Sequence, residues 1–296
     1  MRPEAIAYPL TSTRMSDYLQ LTKPRLNLLV VFTTGVGYWL GVAGHVDALT
    51  LFHTVVGTAL VAGGSAVLNQ LYEQDVDALM ARTRLRPLPD GRMTPLRAYV
   101  FGMLLSAIGL AQLSFGVNHL SALVAFATLV SYVIWYTPMK RRTSLATVVG
   151  AIPGALPPVI GWAAATDTLG REAWLLFAIV FLWQMPHFLA LAWLFREEYE
   201  RAGFPVLPVV EPTGRSTARQ TVMYTAALIP VSLAPALTGL AGPLYFGVAL
   251  VLGLAFLFLA VRFARDLHRR TARQLFLGSI IYLPLIWLFM IATRVP

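Results

Sequence analysis

LFHTVVGTALVAGGSAVLNQLYEQDVD, residues 51–77, joins two kinds of chemistry in one stretch. Residues 51–72 form an apolar run near the roughly 20 residues a helix needs to cross a hydrocarbon core. The run passes directly into Glu73, Asp75 and Asp77. Lipid-facing surface has no use for such acids, because charge at membrane depth is costly unless it pairs or functions. The stretch therefore predicts a transmembrane helix that ends in a charged site.

Runs of the same kind recur outward from it, at residues 26–43, 51–72, 96–115, 120–136, 145–164, 173–195, 219–237, 243–261 and 274–291. The chain of 296 residues is 57% hydrophobic and 12% charged, too few polar side chains to coat a soluble globule of that length. The expectation is an all-α polytopic bundle in the lipid bilayer, with about nine transmembrane helices around a central cavity. Residues 1-25 read as a cytoplasmic N-terminal segment and residues 26-296 as a single transmembrane domain. No soluble domain is left over.

A net charge of +9 raises nucleic acid as a partner, but the placement of the charge argues against it. The positive residues are Arg2, Arg14, Lys23 and Arg25, then those within 82–97, 140–142, 196–219 and 262–273, all on one side of the predicted spans. Only Arg171 and Arg294 fall on the other. The positive-inside rule then places the N-terminus in the cytoplasm and, after nine crossings, the C-terminus outside. The expected location is the cell inner membrane, with the active site facing the cytoplasm. The first 25 residues carry Pro3, Asp17, Lys23 and Pro24 without a long apolar core, which reads as no cleaved signal peptide. Cysteine is absent, so disulfides, thiolate metal sites and cysteine nucleophiles are excluded.

Two inner connections, 69–95 and 196–219, combine acids, bases, glycines and prolines, and chemistry is expected there. They follow the second and sixth spans, which hints at related halves. Pro153, Pro157, Pro158 and Pro186 interrupt apolar spans; kinked cavity-lining helices and ordinary prolines satisfied by neighbours both fit them.

Continued as a helix, residues 69–77 place Asn69, Glu73 and Asp77 four apart on one face and turn Asp75 away. Three oxygen-bearing side chains in a row suit a hard divalent cation such as Mg²⁺, which also keeps phosphate and water ligands. The alternative is a solvated helix end whose acids offset the arginines that follow. Those arginines, Arg82, Arg84 and Arg86, would alone read as topology signals. Beside a metal-ligand row, Arg82 and Arg86 read as the phosphate-binding part of a diphosphate site.

These residues resemble the UbiA-type intramembrane prenyltransferases, whose first acidic motif is Asn-x-x-x-Asp-x-x-x-Asp followed by Arg-Thr-x-x-Arg-Pro-Leu. Asn69, Asp77, Arg82, Thr83, Arg86, Pro87 and Leu88 match, and Glu73 replaces the middle aspartate. Tyr136 to Thr143, Phe181 to Phe188 and Tyr199 to Pro208 are similar to the branch of that family that farnesylates heme. Met185 and Glu198 depart from it, standing where proline and aspartate are usual.

The resemblance implies transfer of a farnesyl group from farnesyl diphosphate to a vinyl group of heme b, with water added and diphosphate released. It implies Mg²⁺ on Asn69, Glu73 and Asp77, with Glu198 as the candidate ligand in a second acidic motif. Glu197 and Glu200 read as solvated partners of Arg196 and Arg201. Lys140 and Arg141 are candidate contacts to diphosphate or to heme propionates. His187 is open between two roles, hydrogen-bonded packing residue and catalytic contact to heme or proton acceptor. Tyr72, Tyr132, Tyr136 and Trp183 could face an allylic cation, though ordinary packing or interface anchoring is the simpler account of each. The expected protein contact is a downstream heme-modifying enzyme or a terminal oxidase assembly. The competing functions are a prenyltransferase acting on a quinone precursor, a secondary transporter, and a non-catalytic assembly factor.

Overall fold

The computed structural model describes residues 13–295. Arg2 and the rest of residues 1–12 of the N-terminal segment 1-25 lie outside them. A chain this apolar must satisfy its backbone internally, and it does so with helices throughout. In order these are α1 (Met15–Leu21), α2 (Pro24–Gly41), α3 (Ala48–Tyr72), α4 (Gln74–Asp77), α5 (Pro95–Gly116) and α6 (His119–Val130). A π-helical turn (Ser131–Tyr136) leads into α7 (Thr137–Met139), α8 (Ala146–Ala155) and α9 (Pro157–Thr166). The second half holds α10 (Arg171–Leu194), α11 (Arg196–Arg201), α12 (Leu207–Val210), α13 (Arg215–Leu237), α14 (Pro243–Asp266) and α15 (Arg269–Ala292).

Eight helices among the described residues are long and apolar enough to cross a membrane, counting 119–139 and 146–166 as one each. The sequence expectation of nine exceeds this by α2, whose 18 residues include Arg25, Asn27, Thr33 and Thr34 and are correspondingly less apolar. α2 nevertheless runs the same course through the bundle. Lys23, immediately before its first residue, lines a cavity with Glu73, Asp77 and Lys140. At its far end the Arg294 guanidinium donates to the carbonyls of Trp39 (2.7 Å) and Val42. That end also gathers Tyr38 with Asp47, and Asn118 with the Ala163 carbonyl at 2.8 Å.

Close helix crossings depend on glycine, as packing between membrane helices favours small residues. A Cβ on Gly37 of α2 would overlap the Pro158 carbonyl, and one on Gly161 of α9 would overlap the Thr34 carbonyl. A second crossing, α3 on α5, uses Gly57, Gly64 and Gly109 in the same way. The prolines of the fifth and sixth spans behave differently. Pro157 starts a new helix after Leu156, splitting the span into α8 and α9, whereas Pro186 sits inside an unbroken α10. The main apolar core lies among α9, α10, α13, α14 and α15, centred on fully buried Tyr245, Phe263 and Trp287.

Candidate active site

The α3 helix ends at Tyr72, and Glu73 takes a conformation (φ −99°, ψ 6°) between helix and turn before α4 resumes. The four-residue register survives this jog. Glu73 N–H donates to the Asn69 carbonyl at 3.0 Å and Asp77 N–H to the Glu73 carbonyl at 2.8 Å. Asn69, Glu73 and Asp77 are 1%, 4% and 1% exposed, while the Asp75 side chain is 65% exposed. Asp75 pairs with Arg141 on the outside, where Arg141 also lies 5.8 Å over the Tyr72 ring.

The buried acids have partners from distant segments. Lys140 Nζ, just past α7, lies 2.9 Å from Glu73 Oε1 and 4.7 Å from the centroid of the Tyr136 ring. Arg86 donates to Asp77 Oδ2 at 2.6 Å, and Thr83 Oγ1 donates to the Asp77 carbonyl at 2.7 Å. Burial raises the Asp77 carboxyl above its ordinary range, with Arg86 pulling the other way. Burial also works against the Lys140 ammonium, but Tyr136 and Glu73 outweigh it and hold the group protonated. Lys23, immediately before α2, is pushed down to about 7 by burial and by the nearby Arg86 and Lys140.

These groups line a cavity of about 180 Å³ that Lys23, Glu73, Asp77, Arg82, Arg86, Tyr136 and Lys140 make polar. Gly150 of α8 and Phe188, Leu191 and Ala192 of α10 form its apolar wall. The two inner connections meet beside it through Val76, Met80, Ala202 and Phe204, of which Met80 and Phe204 also line the cavity. Arg82 lies there over the rings of Phe195 (5.1 Å) and Tyr199 (5.9 Å).

The donor set suits a divalent cation held jointly with phosphate. Among the described residues no three His, Cys, Asp or Glu side chains gather to hold a metal by themselves. The row here offers two carboxylates and one amide. Asn69 Oδ1 accepts from Tyr132 Oη at 3.1 Å, and its Nδ2 is buried without a partner. Turned by 180°, the same amide donates Nδ2–H to Tyr132 and leaves its oxygen as the uncommitted atom, a hard ligand of the kind Mg²⁺ takes.

Glu198 and His187 are placed elsewhere. Glu198 lines a separate cleft with Arg196, Arg201, His268 and Arg269, and its Oε2 is buried there without a partner. His187 stacks between Trp183 (5.2 Å) and Phe276 (4.7 Å), with Nδ1 2.8 Å from Ser279 Oγ. Trp183 is buried beside it and donates Nε1–H to the Ser279 carbonyl. Sequence reasoning gave Lys23 only a topological role. The adjoining Thr22-Lys-Pro24, with a lysine held against a proline at the edge of an apolar span, was the available signal.

The model of the UbiA prenyltransferase family matches residues 30–290. The chain belongs to the UbiA prenyltransferase family. Within it, the chain is 53% identical over 289 residues to a protoheme IX farnesyltransferase of Solibacter usitatus, covering 95% of this chain and 99% of that one. It is 45% identical to the protoheme IX farnesyltransferase of Myxococcus xanthus, covering 96% of each. The family fold is shared with a solved UbiA homologue from Archaeoglobus fulgidus bound to GPP and Mg²⁺. That match has a TM-score of 0.68 at 17% identity and covers 94% of this chain and 100% of that one. A digeranylgeranylglyceryl phosphate synthase structure matches with a TM-score of 0.81 at 16% identity, covering 94% and 98%. The chain is thus a multi-pass membrane prenyltransferase.

Proposed function

We propose that this protein transfers a farnesyl group from farnesyl diphosphate to a vinyl group of protoheme IX (heme b), with addition of water, giving heme O and diphosphate. The row of Asn69, Glu73 and Asp77, buried beside Lys140 and Arg86, carries the donor half of this reading. Near-full-length similarity to protoheme IX farnesyltransferases carries the acceptor half.

The bond between the allylic carbon and the diphosphate oxygen breaks, and its electron pair leaves with the diphosphate. Arg86 and Lys140 bring positive charge to where that negative charge builds, and Arg82 does so at the mouth. Asn69, Glu73 and Asp77 would hold Mg²⁺; Glu198 would join them as the acid of the opposing connection only by turning out of the separate cleft it lines. When bound, the ion neutralises part of the diphosphate charge. Tyr136 and Phe188 line the cavity and exclude water from the allylic cation. The vinyl group of heme forms the new carbon–carbon bond, and water traps the cation left beside the porphyrin and releases one proton. His187 is the candidate contact to heme, and Arg141 the candidate contact to a propionate outside the cavity.

Residues 1-25 form the N-terminal segment and 26-296 one prenyltransferase domain. The N-terminus faces the cytoplasm of a cell whose inner membrane holds the bundle, and the site opens to the same side. The product passes to a heme-modifying enzyme or an oxidase assembly. Acceptor choice is tested by offering heme b, hydroxybenzoate and a naphthoate together with labelled farnesyl diphosphate. Label in heme alone is expected; label in either aromatic acid instead of heme overturns the reading.

A further inference from the structure

Four cationic side chains line the cavity, and three of them are already engaged. Arg86 is bound to Asp77, Lys140 to Glu73, and Arg82 lies over Phe195 and Tyr199. Lys23 is the fourth; Glu73 and Asp77 lie within electrostatic reach of it, but among the described residues its ammonium forms no ion pair, hydrogen bond or contact over an aromatic ring. Even with Lys23 left out of the count, since burial brings its ammonium down to about 7, three cations face two carboxylates, so the cavity carries surplus positive charge suited to an anion.

The backbone of Lys23 makes the same point independently. It sits at φ 49°, ψ 58°, in the left-handed region where glycine and asparagine are at ease and a lysine is not. Pro24 follows, which restricts its conformation further. Neighbouring contacts hold it there. Gln70, next to Asn69, donates Nε2–H to the Leu21 carbonyl at 2.6 Å, and Asn27 donates to the Thr22 carbonyl. Leu26 and Asn27 N–H both donate to the Lys23 carbonyl, at 3.0 and 3.1 Å. A strained conformation persists where its surroundings over-determine it, and such positions gather at ligand sites. If position 23 served only to turn the chain, glycine would do so without strain.

We propose that Lys23 is a diphosphate-binding residue, held in the left-handed conformation so that its ammonium engages the phosphate oxygens of the prenyl donor and of the diphosphate product. The inference rests on the prenyl-transfer reading. Its test is the binding of inorganic pyrophosphate, with Mg²⁺ present, to the purified full chain, by calorimetry, in wild type, Lys23→Gly, Lys23→Asn and Lys23→Arg. Loss of a charge-assisted contact predicts about ten- to a hundredfold weaker binding in the glycine and asparagine variants. Both should melt no lower than wild type, since both residues accept the backbone conformation. Lys23→Arg should retain most of the affinity.

Unchanged pyrophosphate affinity in Lys23→Gly and Lys23→Asn would overturn the assignment while leaving prenyl transfer intact. A lowered melting temperature in both would overturn the argument from strain. A wild-type protein that does not bind pyrophosphate at all would remove the prenyl-transfer reading and this inference with it.

Discussion

The connection after α3 and the connection after α10 look alike in sequence, each placing three acids among arginines within a few residues of a long apolar helix. In the structure they differ sharply. Glu73 and Asp77 are buried and paired with Lys140 and Arg86, one of them from 67 residues away. Glu197 and Glu200 are exposed, and Glu198 lines a cleft of its own. Acidity is therefore a poor marker of a site, and burial against cations contributed by other segments is a better one. Asp17 sets the limit of that rule. It is 1% exposed and paired with Arg92, yet it lies away from the cavity and ties α1 to the connection after α4.

The comparison predicts a graded series. Asp77→Asn should have the largest effect, a loss of about 10²- to 10³-fold in turnover with the protein still folded. A comparable loss in Glu198→Gln would make the two connections equivalent and break the comparison. Lys140→Met should destabilise the fold by about 3 kcal/mol, because it leaves Glu73 buried without its partner. Adding Glu73→Gln should return most of that stability, as read by thermal unfolding in detergent. If the double variant is no more stable than the single, the pair is not what holds that end of the bundle.

Glu198→Gln is expected to cost about tenfold in activity, the scale of a supporting ligand. Glu197→Gln and Glu200→Gln should leave activity within about twofold, since both side chains are exposed and neither forms an ion pair among the described residues. A large loss in either would mean that the second connection closes over the cavity with these acids turned inward.

Much of this was readable from residue order. The apolar runs predicted the helices to within a few residues at most ends, because nothing but a helix satisfies backbone groups in lipid. The four-residue spacing correctly turned Asp75 away from Asn69, Glu73 and Asp77. Of the nine expected spans, α2 falls short of the apolarity of the other eight, because Arg25 and Asn27 dilute the run, but glycine packing against α9 still draws the helix into the bundle. Pairing was beyond the sequence, because Lys140 meets Glu73 only through the fold. Lys23 was passed over for a related reason: positive charge at a helix end has a sufficient topological explanation until its backbone conformation and its lack of a partner are seen.

The most direct test of the account is to supply purified protein in lipid nanodiscs with heme b, farnesyl diphosphate and Mg²⁺ and to follow the heme products by mass. Heme O should accumulate with wild-type protein and be absent with an Asp77→Asn variant whose melting temperature is unchanged. Equal heme O from both proteins, or none from wild type, would contradict it.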